Sequence, residues 1–503
     1  MSFARIWESR EHWKAEAVGR RKVIEAKQRH IVRLQRRIEE AKRKLGASRA
    51  RIAALEADLA ARAAAVVPLP PRHAEIRVLC VTMFLIGVIP CNAVSRILDF
   101  LAHSGRLALN WIPDPSSVVN WIGRAGLGLL TRVGPMQAPW IAIIDTSISF
   151  GKTKALVCLR VPLDHFVRNK RAPGMRDVEC IGISIGEIMN GRTVEAALTS
   201  FFQKSGAPRA IVKDGGPDIA RGVQNYLLTQ GNDDDQKTVV IADVGHVAAN
   251  ALKALYKRNG VIERFLALID KASDRMRQSE IAALRPPKLR TKGRYQSISR
   301  VVKWAATMAW LMGMSGTAPA ASLNEALRKA IPGLCAFKPF LMRFERDCLI
   351  LNDFLALLKE KGLNPETGAR AKAHLERLPR GNRMRRDLFA WLESHLALHM
   401  KMGLGSVPLL VSSDVIETLM GMLKQVIERM PTPEFSTLTL ATPLFCGGQT
   451  EETIHTALTS CSHQSLKDWR SENCSRTHRK RQRDLLVNQV VECVQETPSA
   501  KAA

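Results

Sequence analysis

The sequence predicts an α/β core built on a mixed sheet, interrupted by a large all-α insertion and preceded by an N-terminal coiled coil and a helical domain of helix-turn-helix form. Three observations predict this. Apolar residues recur every seven positions over roughly residues 20–65. Three strand-like apolar runs follow one another from Trp140 without a helical pattern between them, after which helical and strand-like patterns alternate as far as Ala242. Residues 249–410 then carry apolar side chains at three- and four-residue intervals throughout, over a length no loop would reach.

Composition narrows the partners. With 503 residues and 46% hydrophobic content the chain is long and apolar enough for several packed cores. Lys and Arg number 75 against 47 Asp and Glu, a net charge of +28, which favours a polyanion over a small neutral ligand. Nucleic acid is the leading candidate. The longest apolar run, VLCVTMFLIGVIP over 78–90, is too short to cross a bilayer and reads as a core helix. The charged N-terminus MSFARIWESREHWK lacks the apolar core of a signal peptide, so a cytoplasmic, nucleoid-associated protein of bacterial type with no membrane partner is expected. Ten cysteines without a CxxC pair fit reduced thiols. Cys461, His463, Cys474 and His478 come nearest to a zinc pattern, but their spacings are loose and they read as ordinary surface residues.

Residues 1–67 form the expected coiled-coil helix. Ile24, Ile31, Ile38, Leu45, Ile52 and Leu59 share one heptad position, with Leu34, Ala41 and Leu55 in a companion stripe that Lys27 and Arg62 interrupt. β-branched residues in the first stripe favour a parallel dimer, so a homo-oligomer joined through this coiled coil is expected. The segment PLPP at 68–71 ends the helix. Residues 68–135 are then expected to be a helical, HTH-like DNA-binding domain with helices at 74–86, 91–102 and 116–123. The run PDPSSVVNWIGRAGL has the form of a recognition helix, with Val118 and Trp121 as anchors and Ser116, Ser117, Asn120 and Arg124 as DNA contacts.

Strands are expected at 140–146, 155–162, 178–185, 210–213 and 239–242, with helices at 193–204 and 218–228. This β-β-β-α-β-α-β order is that of an RNase H-like mixed sheet. A catalytic domain of residues 136–248 and 411–440 would therefore enclose an insertion of residues 249–410. Asp145 ends the first strand, where burial alone would not choose a carboxylate, and Asp214 ends the fourth. In that fold the two strands are adjacent and parallel, so both acids would project from one sheet edge. Asp218 is the rival second acid, but it stands where a helix cap belongs. Farther on, SSDVIETLMGMLKQVIE at 412–428 reads as a capped helix that would bring Glu417 to the same edge.

The strand-borne Asp145, the KDGG of 213–216, the DVGH of 243–246, and SSDVIETLMGMLK before a Pro-containing segment together resemble the DDE-type insertion-sequence transposases. In these an RNase H-like core is interrupted by a helical insertion before the final Glu. The resemblance covers roughly residues 75–485, including the WRSEN and RKRQR runs of the tail. It implies a polynucleotidyl transferase that binds the terminal inverted repeats of a mobile element and performs strand cleavage and strand transfer. Asp145, Asp214 and Glu417 are then the catalytic metal ligands, and Asp243 and His246, matching a D-x-x-H of similar transposases, are auxiliary. Two Mg²⁺ ions, with Mn²⁺ as substitute, would lie about 4 Å apart, Asp145 bridging both, Asp214 holding one and Glu417 the other. Carboxylates suit that ion because it takes hard oxygen ligands and keeps positions open for phosphate and water.

The partners implied are double-stranded DNA, as transposon ends and as target, and further copies of the chain. Within the insertion, Lys288, Arg290, Lys292 and Arg294 beside Tyr295 read either as a DNA-backbone strip or as a solvated loop. Trp304 and Trp310 have the apolar spacing of core residues, although aromatic residues of related enzymes stack on a flipped base. Residues 441–503 are expected to be a basic tail that binds phosphates through Arg479, Lys480 and Arg481. The competing readings are a non-enzymatic coiled-coil DNA-binding protein and an RNase H-like nuclease without strand transfer.

Overall fold

The computed structural model describes residues 35, 39–40, 42–54, 56–57, 73–150, 153–229, 238–256, 260–288, 294–313, 318–430, 433–474, 483 and 485–487. Its backbone contacts divide the chain into two units, Met1–Pro71 with Ala102–Asn110 and Arg72–Leu101 with Trp111–Ala503. In the first unit the described residues among 39–57 are helical. Ion pairs between Lys42 and Glu39 (2.9 Å) and between Lys44 and Glu40 (2.7 Å) line that helix. Leu45 and Ile52, seven residues apart, are 54% and 55% exposed. The rest of the heptad stripe (Ile24, Ile31, Leu34, Ile38, Ala41, Leu55 and Leu59) lies outside the described residues.

The remaining elements run in order α1 (His73–Gly87), α2 (Cys91–His103), α3 (Pro115–Thr131), β1 (Trp140–Phe150), β2 (Thr153–Pro162), α4 (His165–Asn169), β3 (Glu179–Gly186), α5 (Gly191–Ser205), β4 (Ala210–Lys213), α6 (Pro217–Thr229), β5 (Val239–Ala242) and α7 (Val244–Tyr256). The insertion supplies α8 (Val261–Arg277), α9 (Arg294–Leu311), α10 (Ala318–Ala330), α11 (Lys338–Lys361), α12 (Pro365–Glu376) and α13 (Arg383–Lys401). The chain returns through α14 (Asp414–Glu428), α15 (Glu451–Ser460) and α16 (His463–Asn473). Among the described residues no helix is long and apolar enough to cross a membrane.

The five strands form one mixed sheet in the order β3-β2-β1-β4-β5. β1 pairs antiparallel with β2 and β2 with β3, whereas β1–β4 and β4–β5 are parallel. Strand alternation divides the side chains between two faces. Trp140, Ala142 and Ile144 of β1 and Ile211 of β4 share a core with Val194, Leu198 and Phe202 of α5 and with Ile219, Val223 and Tyr226 of α6. The opposite parity, Ile141 and Ile143 of β1, Val212 of β4 and Ile241 of β5, is buried just as completely. There α14 packs on β1.

β5 is an edge strand, and unpaired edge groups need partners. The insertion supplies them. Ala242 N donates to His395 Nε2 (3.1 Å), and Trp391 Nε1 donates to Ala242 O (3.1 Å). The two rings, both on α13, stack with centroids 4.4 Å apart. Burial holds His395 below the usual imidazole range, and the neutral ring donates from Nδ1 to Trp391 O (2.8 Å) while accepting at Nε2. The histidine serves packing rather than chemistry.

Several expectations are corrected here. α3 is not a presented recognition helix. It extends to Thr131, and Val118, Trp121, Ile122, Gly123, Ala125, Gly126, Leu127 and Gly128 are all buried. It packs against α1, the Thr437–Ala441 turn, α15 and α16, so α1 and α3 share a core with the C-terminal segment. Arg124, expected at DNA, donates from Nε to Cys461 O (2.8 Å) and from Nη2 to Leu458 O (2.7 Å). It satisfies carbonyls left over where α15 ends, a favourable place for a cation. Ser116 is exposed, and Ser117 and Asn120 are half-buried.

The segment expected as a basic tail is folded from 443 to 473, and Cys461 is a buried core residue beside Leu127, Leu440 and Leu466 rather than a surface one. Trp304 is anchored by a hydrogen bond from Nε1 to Leu284 O (2.8 Å), but Trp310 is 61% exposed, so the core reading fails for it.

The close approach of α3 depends on glycine. A Cβ on Gly126 would stand 1.7 Å from Leu440 O, and one on Gly128 2.1 Å from Ala457 O. Gly126→Ala is therefore expected to destabilise by about 1–3 kcal/mol or more, despite alanine's better helix propensity. Gly134→Ala, which meets nothing within 4 Å, should be near neutral. Chemical denaturation of the two variants measures the difference.

Candidate active site

The site is built by register. In the parallel part of the sheet Ile144 lies opposite Lys213, and Lys213 lies opposite Ala242. The residue after each, Asp145, Asp214 or Asp243, therefore stands at one level on three neighbouring strands spaced about 4.8 Å apart. By alternation all three carboxylates belong to the face covered by α14. β1 continues beyond Asp145 through a β-bulge between Asp145 and Ile148, a device that re-aims side chains beside functional edges.

Asp145 is 5% exposed, and its Oδ1 accepts from Thr146 N (2.6 Å). Asp214 is half-buried, and its Oδ1 accepts from Gly216 N (2.9 Å), forming the turn that starts α6. Lys213 Nζ donates to Asp214 O (3.3 Å); burial lowers the lysine's pKa while Asp214 resists the shift. Asp218 is exposed in the first turn of α6.

Asp243 is the most enclosed of the three, at 2% exposure. Its Oδ1 accepts from His246 N (2.7 Å) and faces His246 Nδ1 (3.1 Å), the geometry of an N-cap for α7. Its Oδ2 accepts from Ser413 N (2.6 Å) and Ser413 Oγ (2.9 Å) across 170 residues. Burial alone would raise this carboxyl, but the hydrogen bonds from His246 and Ser413 outweigh it and hold the pKa below the usual range. Val244 N donates to Val411 O (2.9 Å) alongside.

The start of α14 is thereby tied to the end of β5, and Glu417 lies in its first turn. Burial raises the Glu417 pKa, with Asp414 and Asp243 adding to the rise and His246 and Lys359 opposing it. His246 is pushed up to about 9, first by its hydrogen bond to Asp243, against burial, with the charges of Asp243, Asp214 and Glu417 adding. Asp214, Asp243, His246 and Glu417 thus share one electrostatic neighbourhood, and Asp145 adjoins Asp214 by register. Among the described residues no three His, Cys, Asp or Glu side chains form a ready metal cluster, so Asp145, Asp214 and Glu417 are not drawn into a three-carboxylate cage.

Sequence reasoning did not single out Lys359 and Ser413. Lys359, in the last turn of α11, pairs with Asp414 (2.6 Å) and stands 3.4 Å from where a Cβ on Gly245 would be. The SSD run signals a cap, yet the hydroxyl of Ser413 serves Asp243 instead of its own helix. Lys288 is exposed. Arg290, Lys292, the side chain of Arg294, and Arg479, Lys480 and Arg481 lie outside the described residues.

No protein-family model matches the chain, and no curated protein matches its sequence. Among solved structures, the Drosophila P element transposase strand transfer complex is similar at 11% identity and a TM-score of 0.37, over 77% of this chain and 94% of that one.

The Asp243 node sets two expectations. Asp243→Ala strands the buried donors of Ser413 and His246 and should cost about 3–5 kcal/mol in chemical unfolding. The His246 pKa is raised in the fold, so its stabilisation is complete below about 6.5 and is lost as pH rises through about 9. A melting-temperature series over that window should fall more steeply for the native protein than for His246→Gln; parallel curves would contradict the assignment.

Proposed function

We propose that the chain is a DNA transposase of the DDE type, with an RNase H-like core, that binds the terminal inverted repeats of a mobile element and catalyses metal-dependent strand cleavage and strand transfer. The observation that carries this reading is the single level at which Asp145, Asp214 and Asp243 leave three adjacent strands, on the face over which Glu417 is held. The +28 charge supplies a second support, since the substrate is a polyanion.

The donor chemistry suits Mg²⁺ or Mn²⁺. Magnesium is commonly held by one or two carboxylates, with waters and substrate phosphate completing its shell, so the hard oxygens of Asp145, Asp214 and Glu417 are donors it accepts. Asp145 and Asp214 would hold the ion, with Glu417 joining from α14. When bound, the metal supplies polarisation of the phosphate oxygens and activation of the attacking water or 3′-hydroxyl. The chain itself orients the acids. Strand register fixes Asp145 and Asp214, the Ser413–Asp243 contact fixes α14, and His246 and Lys359 favour the ionised form of Glu417.

Among the described residues no three-carboxylate cluster is formed, and the second reading is a DNA-binding protein without catalysis. An end-cleavage assay on duplexes carrying the flanking inverted repeats separates the two. Mg²⁺-dependent nicking is expected, abolished by chelator and reduced about a hundredfold or more in Asp145→Asn, Asp214→Asn and Glu417→Gln, on the scale of losing one electrostatic stabiliser. DNA affinity in chelator should be kept. Native-level nicking by any of the three variants would remove that residue from the site, and its absence in the native protein would favour the binding reading.

A further inference from the structure

From position 370 to position 386 the chain reads RAKAHLERLPRGNRMRR, seven Lys or Arg against the single acid Glu376. The fold turns this run into a rigid corner. α12 ends at Glu376, a short turn follows, and α13 begins at Arg383, with the Asn382 side chain accepting from Met384 N (2.8 Å) and Arg385 N (3.4 Å). Leu375, Leu378, Met384 and Leu388 are buried, which leaves the cations outside. Lys372, Arg377, Arg380 and Arg386 are exposed.

Charge pairing at the corner is thin. Arg370 meets Glu366 (4.0 Å), Arg377 meets Asp353 (2.6 Å), and Arg383 and Arg386 share Asp387 (3.5 and 3.6 Å), which leaves three of the seven cations outside ion pairs. Among the described residues no carboxylate forms an ion pair with Lys372, Arg380 or Arg385. Instead Lys372 Nζ and Arg385 Cζ stand over one ring, that of Phe389, at 5.7 and 5.2 Å. Like charges gathered on a single aromatic raise the local positive potential, an arrangement that a neighbouring polyanion stabilises.

The corner is also coupled to the candidate site. α13 runs on from Arg383 to Trp391 and His395, which hold both backbone groups of Ala242, the residue before Asp243. Arg383 lies eight helical steps before Trp391, about 12 Å of rise, or roughly three to four steps of duplex at 3.4 Å each. We infer that the α12–α13 corner is a clamp for the phosphate backbone of duplex DNA flanking the strand-end site; that the polyanion is DNA rests on the function proposed above. The corner offers exposed ammonium and guanidinium groups, which contact phosphates rather than base edges, so it positions the duplex without reading its sequence.

The test is fluorescence anisotropy of the full-length protein with duplex DNA, in chelator, over a series of salt concentrations. The clamp variant carries Lys372→Gln, Arg380→Ser and Arg386→Ser; the control carries Arg264→Ser, Lys271→Gln and Arg277→Ser, exposed cations of α8. The clamp variant should bind about tenfold or more weakly at moderate salt, its log–log salt slope shallower by about 2–3. The control should stay within about twofold of the native protein, and matching melting temperatures show that all three are folded. A native-like slope in the clamp variant, or equal losses in both variants, overturns the clamp while leaving the proposed function standing. Tighter binding to duplex RNA than to duplex DNA overturns the assigned occupant. A native protein with no salt-dependent affinity for duplex DNA overturns the proposed function itself.

Discussion

The candidate site depends on a buried carboxylate whose two oxygens are both engaged in hydrogen bonds. Asp243 uses one oxygen to start α7 and the other to hold Ser413, which stands at the N-cap of the helix carrying Glu417. A buried charge is stable only when donors surround it, and here the donors come from two segments far apart in sequence. The same interaction that solvates Asp243 therefore joins the start of α14 to the end of β5. His246 completes the arrangement as a cation facing Asp243, with Asp214 and Glu417 also contributing to its field.

Sheet geometry provides the other half. Because side chains alternate along a strand, a one-residue slip of β4 against β1 would send Asp214 to the α5–α6 face. The register is held by apolar residues on both faces, Ile144 and Ile211 toward α5 and α6, Ile143 and Val212 toward the opposite side. The edge is held as well. Trp391 and His395 cover the outer backbone of Ala242, so β5 ends in protein contacts rather than in exposed donors and acceptors.

Much of this was legible in the sequence. The runs 210–213 and 239–242 coincide with β4 and β5, since short apolar stretches between a helix end and an aspartate have few alternatives. The α3 segment was not legible in the same way. Small and apolar residues suit a recognition helix and a tightly packed core helix alike, and only the glycine spacing of IGRAGLG carries the difference. Arg124 misled because a cation before a glycine does not reveal whether its partner is a phosphate or the carbonyl of a distant helix. The folded part of the tail was hidden by its charge, which outweighed the packing residues Leu458, Cys461 and Leu466. Ser413 and Lys359 escaped because their partners lie 170 and 55 residues away, and no local pattern records such pairings.

That separation raises a question of free energy. An unstructured loop of about 170 residues costs roughly 4–5 kcal/mol to close. The two hydrogen bonds from Ser413 to a charged acceptor contribute about 1.5–3 kcal/mol each, barely enough to offset it. The insertion lowers the cost by closing in stages. Leu363, just beyond α11, exchanges both backbone hydrogen bonds with Leu409 (2.8 Å each), and Asn364 Nδ2 donates to Ser406 O (3.2 Å). The returning chain is thus already seated beside the end of α11, from which Lys359 reaches Asp414. Val411 and Ser413 then need only a short further step to meet Val244 and Asp243. The insertion is in this sense part of the site's scaffold. Within it α9 packs on both α7 and α11, and α13 packs on α7, so the helices that hold Asp243 and Lys359 in place are braced by the insertion itself.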